Sequence, residues 1–115
     1  MAEHQIFVES LRSTGDFAGV FEYDGDTGYF YLYDLKRPAG KKVVDTIWIL
    51  DAITDVVESE IAVLWNEGES DVGLFIGGKL WAVFDLVARK KYGSQYRKGT
   101  DPQIPRHLAE AFIFP

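Results

Sequence analysis

The chain has 115 residues, 47% apolar and 15% aromatic, a length and composition suited to one self-folding domain and unlike those of a disordered chain. It contains no cysteine, which excludes disulfides, thiolate catalysis and thiolate-zinc sites. Eighteen acids against twelve bases give a net charge of −6, which argues against nucleic acid and anionic membranes as partners.

Residues 1–5 lack a basic region followed by an apolar stretch, so no signal peptide is read there. No apolar run approaches the ~20 residues of a membrane-spanning helix. The expectation is a cytoplasmic protein.

Period-two alternation, punctuated by turn residues, then runs through most of the chain. Residues 5–11 are the first strand candidate, with Ile6 and Val8 on one face. Residues 17–23 and 29–35 flank Asp24-Gly25-Asp26-Thr27-Gly28, which reads as an antiparallel hairpin. In its second arm Tyr29, Tyr31, Tyr33 and Leu35 share one face, while Phe30, Leu32 and Asp34 share the other. Both faces are apolar enough for another layer to cover one of them. Residues 36–42, with Pro38, Gly40 and four bases, form a loop. Residues 43–50 are rich in β-branched side chains and carry Trp48. Residues 51–59 admit two readings, a short helix opened by an Asp55/Glu58 capping box or a wide loop.

Alternation resumes at 60–66, where Ile61, Val63 and Trp65 share a face. After the turn at 67–71, strands at 72–76 and 79–86 flank Gly77-Gly78. That pair suits a type I′ turn, which needs φ > 0 at both central positions. Residues 92–104 read as a long polar loop. Pro105 opens a short helix to about Phe112, with Leu108 and Phe112 as its buried stripe. The expected fold is α+β, mainly β: an antiparallel sheet of five to seven strands in hairpins and a meander, with a short C-terminal helix. A weak internal echo, Tyr33-Asp34-Leu35 against Phe84-Asp85-Leu86, fits a shared strand-end preference better than duplication.

Few residues point to chemistry. Asp24 and Asp26 occupy the first and third places of a calcium loop, but the twelfth residue is Leu35, so the segment reads as a plain turn. His4 and His107 stand at opposite ends of the chain and form no metal spacing. His107 reads as a surface or helix-end residue. No Gly-x-Ser-x-Gly elbow and no phosphate-cradling glycine loop is present. No cofactor or metal is therefore expected. Asp34 and Asp85 are the candidate catalytic carboxylates, because each lies late in a strand beside aromatic residues, where burial raises a pKa. A strand-end Asp more often caps a turn or pairs with a following base. Residues 89–98 interleave five bases with Tyr92 and Tyr96, a composition that also suits a single-stranded nucleic acid. Trp48, Trp65 and Trp81 are expected to fill a β core.

The charges are segregated. Residues 51–71 hold seven acids and no base, whereas residues 86–98 hold five bases and no acid. The acidic stretch carries the sharpest interaction expectation: Glu67, Glu69 and Asp71 as a surface patch for a basic protein partner.

The segments 60–68 and 73–85, from Glu60-Ile61-Ala62-Val63-Leu64-Trp65 to Trp81-Ala82-Val83-Phe84-Asp85, resemble the centre of a small uncharacterised bacterial domain family of unknown function. The resemblance is a meander signature. It implies a short, soluble domain and no site residues. The same stretch resembles one β-propeller blade, but a propeller needs at least four.

The leading functional expectation is a non-enzymatic binding or interaction domain, in its sharpest form an immunity-like inhibitor using the acidic surface. The alternative is a small-ligand domain or a hydrolase working through Asp34 and Asp85. The first requires Glu67, Glu69 and Asp71 exposed together, and the second requires Asp34 or Asp85 in a concave pocket.

Overall fold

The computed structural model describes residues 5–51 and 55–112. Eight strands run in chain order: β1 (Ile6–Leu11), β2 (Phe17–Tyr23), β3 (Thr27–Asp34), β4 (Val43–Asp51), β5 (Ile61–Trp65), β6 (Asp71–Ile76), β7 (Lys79–Asp85) and β8 (Lys90–Gly93). They form two four-stranded sheets, β1-β2-β3-β4 and β5-β6-β7-β8, antiparallel throughout. A short helix, α1 (Arg106–Glu110), follows. The chain is mainly β with one short helix, as the sequence pattern implies. The strands number eight and divide between two sheets.

The alternation explains the division. On β1–β4, Ile6, Phe21, Phe30 and Ile49 turn inward, and on β5–β7 Val63, Val72, Leu74 and Phe84 do the same; all are buried in one core. Phe30 and Phe84 meet across the interface with ring centroids 4.9 Å apart. Gly19 permits this approach, since a Cβ there would lie 2.5 Å from Val72 Cγ2 and 2.9 Å from Val63 Cγ1. Trp65 and Trp81 are buried, and their Nε1 atoms donate to Ser10 O (3.0 Å) and Ser94 O (2.7 Å). Trp48 departs from the core expectation: it stands 44% exposed on the outside of the first sheet.

Each sheet edge is tied to the other sheet. β5 lies beside β1 through the Trp65–Ser10 bond. β8 lies beside β4, where Lys91 Nζ donates to Thr46 O (2.9 Å) and Asp45 Oδ1 (2.7 Å). Covered edges deny another chain a free strand to pair with.

β8 overturns part of the loop expected over 92–104. It is four residues long and largely exposed, so it carries no inward apolar stripe to reveal it. Tyr92 and Tyr96 do not form an open stacking strip. Tyr92 packs against the cluster around Leu108, and Tyr96 sits edge-on to Trp81 at 4.8 Å.

The Gly77-Gly78 turn takes φ of 60° and 82°, as the hairpin requires. Between β4 and β5, Val56 is buried and a single 3-10 turn spans Glu58–Glu60. The capping contact there is Val57 N–H to Glu60 Oε1 at 3.0 Å, so the Asp55/Glu58 box does not form. Helix α1 covers the outer face of the second sheet, with Leu108 and Phe112 buried against Val83 as expected. His4 lies outside the described residues. Asp24 Oδ1 accepts the N–H groups of Asp26 (2.9 Å) and Thr27 (2.8 Å), the internal bonding of a hairpin turn.

Candidate functional site

Antiparallel connectivity sends four turns to the same end of the sandwich: residues 12–16, 35–42, 66–70 and 86–89. Between them opens a cleft of about 690 Å³, within the size range of small-ligand sites. Phe17, Leu32, Phe84 and Leu86 give it an apolar lining. Asp34, Asp45 and Asp85 supply acids, and Arg12, Arg37, Arg89 and Lys90 supply bases. Turns held on a rigid sheet scaffold are common places for binding residues.

Asp34 and Asp85 therefore do share a cavity, one from each sheet. Both are already engaged. Asp34 Oδ1 accepts Lys36 N–H (3.0 Å), and its other oxygen lies 3.8 Å from Arg37 Nε. Asp85 Oδ1 accepts the N–H groups of Val87 (3.1 Å) and Ala88 (3.0 Å). These are turn-capping contacts. Asp45 is paired with Lys91 at 2.7 Å.

Glu67, Glu69 and Asp71 separate. Glu67 is exposed. Glu69 reaches across to the first sheet, accepting both the N–H (3.1 Å) and the hydroxyl of Ser13. The Ser13 hydroxyl bond is the main cause holding its carboxyl below the ordinary range. Asp71 is only 5% exposed. Its Oδ2 accepts Asn66 Nδ2 at 3.1 Å, while Asn66 Oδ1 accepts Asp71 N–H at 3.0 Å.

Asp71 stands directly opposite Asp85 on the neighbouring strand. Burial first, and then the charge of Asp85, push its carboxyl above the ordinary range. The two side chains lie within hydrogen-bonding reach of one another. A cross-strand partner is invisible until the register is known; the signal available in sequence was only that Asp71 opens one strand of the hairpin and Asp85 closes the other.

Arg12 is the residue that sequence reasoning missed. Its guanidinium carbon lies 5.8 Å from the ring centroids of both Phe17 and Trp65, an orientation favoured by cation–π attraction. Its Nη1 lies 3.8 Å from Asp16 Oδ2, a long contact. The Asp16 carboxylate is meanwhile occupied by the Thr14 hydroxyl and by Phe17 N–H at 2.9 Å. Arg12 Nε is buried with no hydrogen-bond acceptor among the described residues. An unsatisfied buried donor costs about 1–3 kcal/mol. Arg12 is thus held by rings while its donors stay largely uncommitted. Arg89 adds a second irregularity, a non-glycine residue at φ of 56°, a conformation found sparingly and often near functional sites.

Among the described residues no cluster of three or more His, Asp or Glu is arranged to hold a metal ion. No helix among them is long and apolar enough to cross a membrane.

Fold and cleft together define an eight-stranded antiparallel sandwich with a mixed-charge pocket among its turns. Residues 1–104 match a family described as an uncharacterized protein conserved in bacteria (DUF2251), and the chain belongs to that family. An uncharacterized protein of Haemophilus influenzae (strain ATCC 51907 / DSM 11121 / KW20 / Rd) is 35% identical over 102 residues, covering 80% of this chain and 63% of the relative. The chain thus matches less than two-thirds of that relative's length. No solved structure matches the chain.

Proposed function

We propose that this protein is a non-enzymatic binding domain whose site is the cleft at the turn end, and that its ligand carries an anionic group on an apolar body. The observation that carries this reading is Arg12: a guanidinium held against two aromatic rings, lining the cleft, with an orphaned donor. Guanidinium groups favour carboxylates and phosphates because two parallel donors match two oxygens. The neighbouring Arg37, Arg89 and Lys90 reinforce the attraction, whereas the three cleft acids are occupied by their own turns or by Lys91.

A hydrolase working through Asp34 and Asp85 draws less support, since one oxygen of each carboxylate already caps its own turn. An inhibitor docking through Glu67, Glu69 and Asp71 needs all three exposed, and Asp71 is buried.

The test is a backbone-amide NMR titration with benzoate, phenyl phosphate and, as the neutral control, benzamide. The two anions are expected to shift residues of the four turns, above all 12–17 and 84–90, and benzamide much less. Arg12→Gln is expected to abolish the difference. Equal response to benzamide, or shifts away from these turns, would refute the reading.

A further inference from the structure

The charges that line the cleft differ in depth. The side chains of Arg12 and Asp34 are 26% and 24% exposed, whereas that of Arg37 is 50% exposed. Arg89 and Lys90 are exposed at the rim. The strand pattern accounts for the deeper pair. On β3 Phe30 and Leu32 alternate onto the inner face, and Asp34 continues their stripe to the strand's end. Arg12 is the first residue past β1, and its guanidinium leans on Phe17 and Trp65.

Phe17 adjoins both of them. Its ring lies 5.8 Å from the Arg12 guanidinium carbon, and its backbone is paired directly with Asp34 on the neighbouring strand. Opposite charges thus stand beside one ring, partly withdrawn from water, which favours their pairing. Yet no ion pair joins Arg12 to Asp34 among the described residues. The space left between them suits a molecule that carries both charges.

Of the three cleft acids, Asp34 has an oxygen to spare on the inner side. Its Oδ1 accepts Lys36 N–H at 3.0 Å, but Oδ2 has only Arg37 Nε at 3.8 Å among the described residues, beyond hydrogen-bonding distance. Asp45 is closed by Lys91 at 2.7 Å. Asp85 holds the amides of Val87 and Ala88, and it alternates with Val83 onto the face that α1 covers.

We infer that the ligand of the cleft is an α-amino acid with an apolar side chain, its carboxylate on Arg12 and its ammonium group on Asp34 Oδ2. This rests on the reading of the cleft as an anion site and adds a cation to the ligand. Both contacts are charge-assisted hydrogen bonds, the stronger kind. The ammonium group displaces no short contact of Oδ2, since the one to Arg37 is long. The apolar side chain lies against Phe84 and Leu86, within a cleft of about 690 Å³. The bases at the rim repel a ligand of net positive charge, so a bare amine is disfavoured, whereas a zwitterion carries no net charge.

The experiment is an amide NMR titration of the full chain with three ligands that share one body and one carboxylate. L-phenylalanine carries the ammonium group, hydrocinnamate lacks it, and N-acetylphenylalanine holds the nitrogen as a neutral amide. Phenylalanine is expected to bind about fivefold tighter than either, or better, the gain of one charge-assisted hydrogen bond. Asp34→Asn keeps an acceptor for Lys36 N–H, and in it the ratio of phenylalanine to hydrocinnamate affinity is expected to fall to about one. Circular dichroism establishes that the variant is folded, and the three-ligand comparison on wild type needs no variant. If hydrocinnamate shifts the 12–17 turn and phenylalanine binds no tighter, the inference is overturned while the anion reading stands. If none of the three shifts that turn, the anion reading fails and the inference falls with it. A preference for phenylalanine that survives in Asp34→Asn also overturns it, because the ammonium group then lies elsewhere.

Discussion

Asp71 illustrates how far one side chain's role depends on its neighbour across the sheet. In the sequence it closes an acidic run and resembles Glu67 and Glu69. In the fold it faces Asp85, lies out of solvent and is pushed toward its protonated form, by burial before all else. A carboxyl raised in the fold binds its proton more tightly there than in the unfolded chain. Its contribution to stability is therefore fully present below the unfolded pKa and is lost as pH rises through the folded one. Asp71→Asn supplies a permanent donor toward Asp85 and keeps an oxygen for Asn66 Nδ2. Relative to wild type, the variant is expected to gain stability as pH rises from about 4, and at pH 7 to match or exceed it by about 1 kcal/mol, the scale of one hydrogen bond. Urea unfolding of both proteins between pH 4 and 7 measures this. A variant less stable than wild type at pH 7 would mean that Asp71 is needed ionised.

The strands themselves were legible because half-buried strands alternate, as Ile61-Ala62-Val63-Leu64-Trp65 does, or because a short apolar run such as Leu80–Phe84 lies between turn signals and is buried on both faces. The glycine pair at 77–78 marked its turn for the same local reason. β8 was hidden because an exposed strand beside lysines has no stripe, and its position follows only from its ladder with β7. Gly19 was equally mute: within a strand it reads as a weakness, whereas it leaves room for Val72 and Val63 of the other sheet. Gly19→Ala is expected to destabilise by about 1–3 kcal/mol, since the added methyl must displace Val72 and Val63 in a packed core. Gly68→Ala is the matched control, because a Cβ there meets nothing within 4 Å. It is expected to stay within about 0.5 kcal/mol of wild type. Thermal unfolding of the two variants decides it, and equal costs would show that the sheets have room to spare at Gly19.

At the scale of the whole molecule, the division into two sheets could not be read from the chain, because each hairpin is local while the pairing of faces is not. The cleft inherits that difficulty. Asp34 and Asp85 were found from their strand ends, but their meeting, the Arg12 anchor and the capture of Glu69 by Ser13 all arise from bringing the first sheet's turns against the second's. Glu69 is the clearest link between the two. It sits at φ of 56° and fastens the 66–70 turn to the 12–16 turn, beside Arg12. An exposed acidic run gains little from surface ion pairs, yet this member makes two hydrogen bonds across the interface. Glu67→Gln is therefore expected to leave stability unchanged. Glu69→Ala is expected to cost about 1–2 kcal/mol, the worth of charge-assisted hydrogen bonds made in part at the surface. It should also speed amide hydrogen exchange in the 12–16 and 66–70 turns together, because one clasp holds both. If exchange rises in the 66–70 turn alone, the two turns are held independently and the cleft does not depend on Glu69.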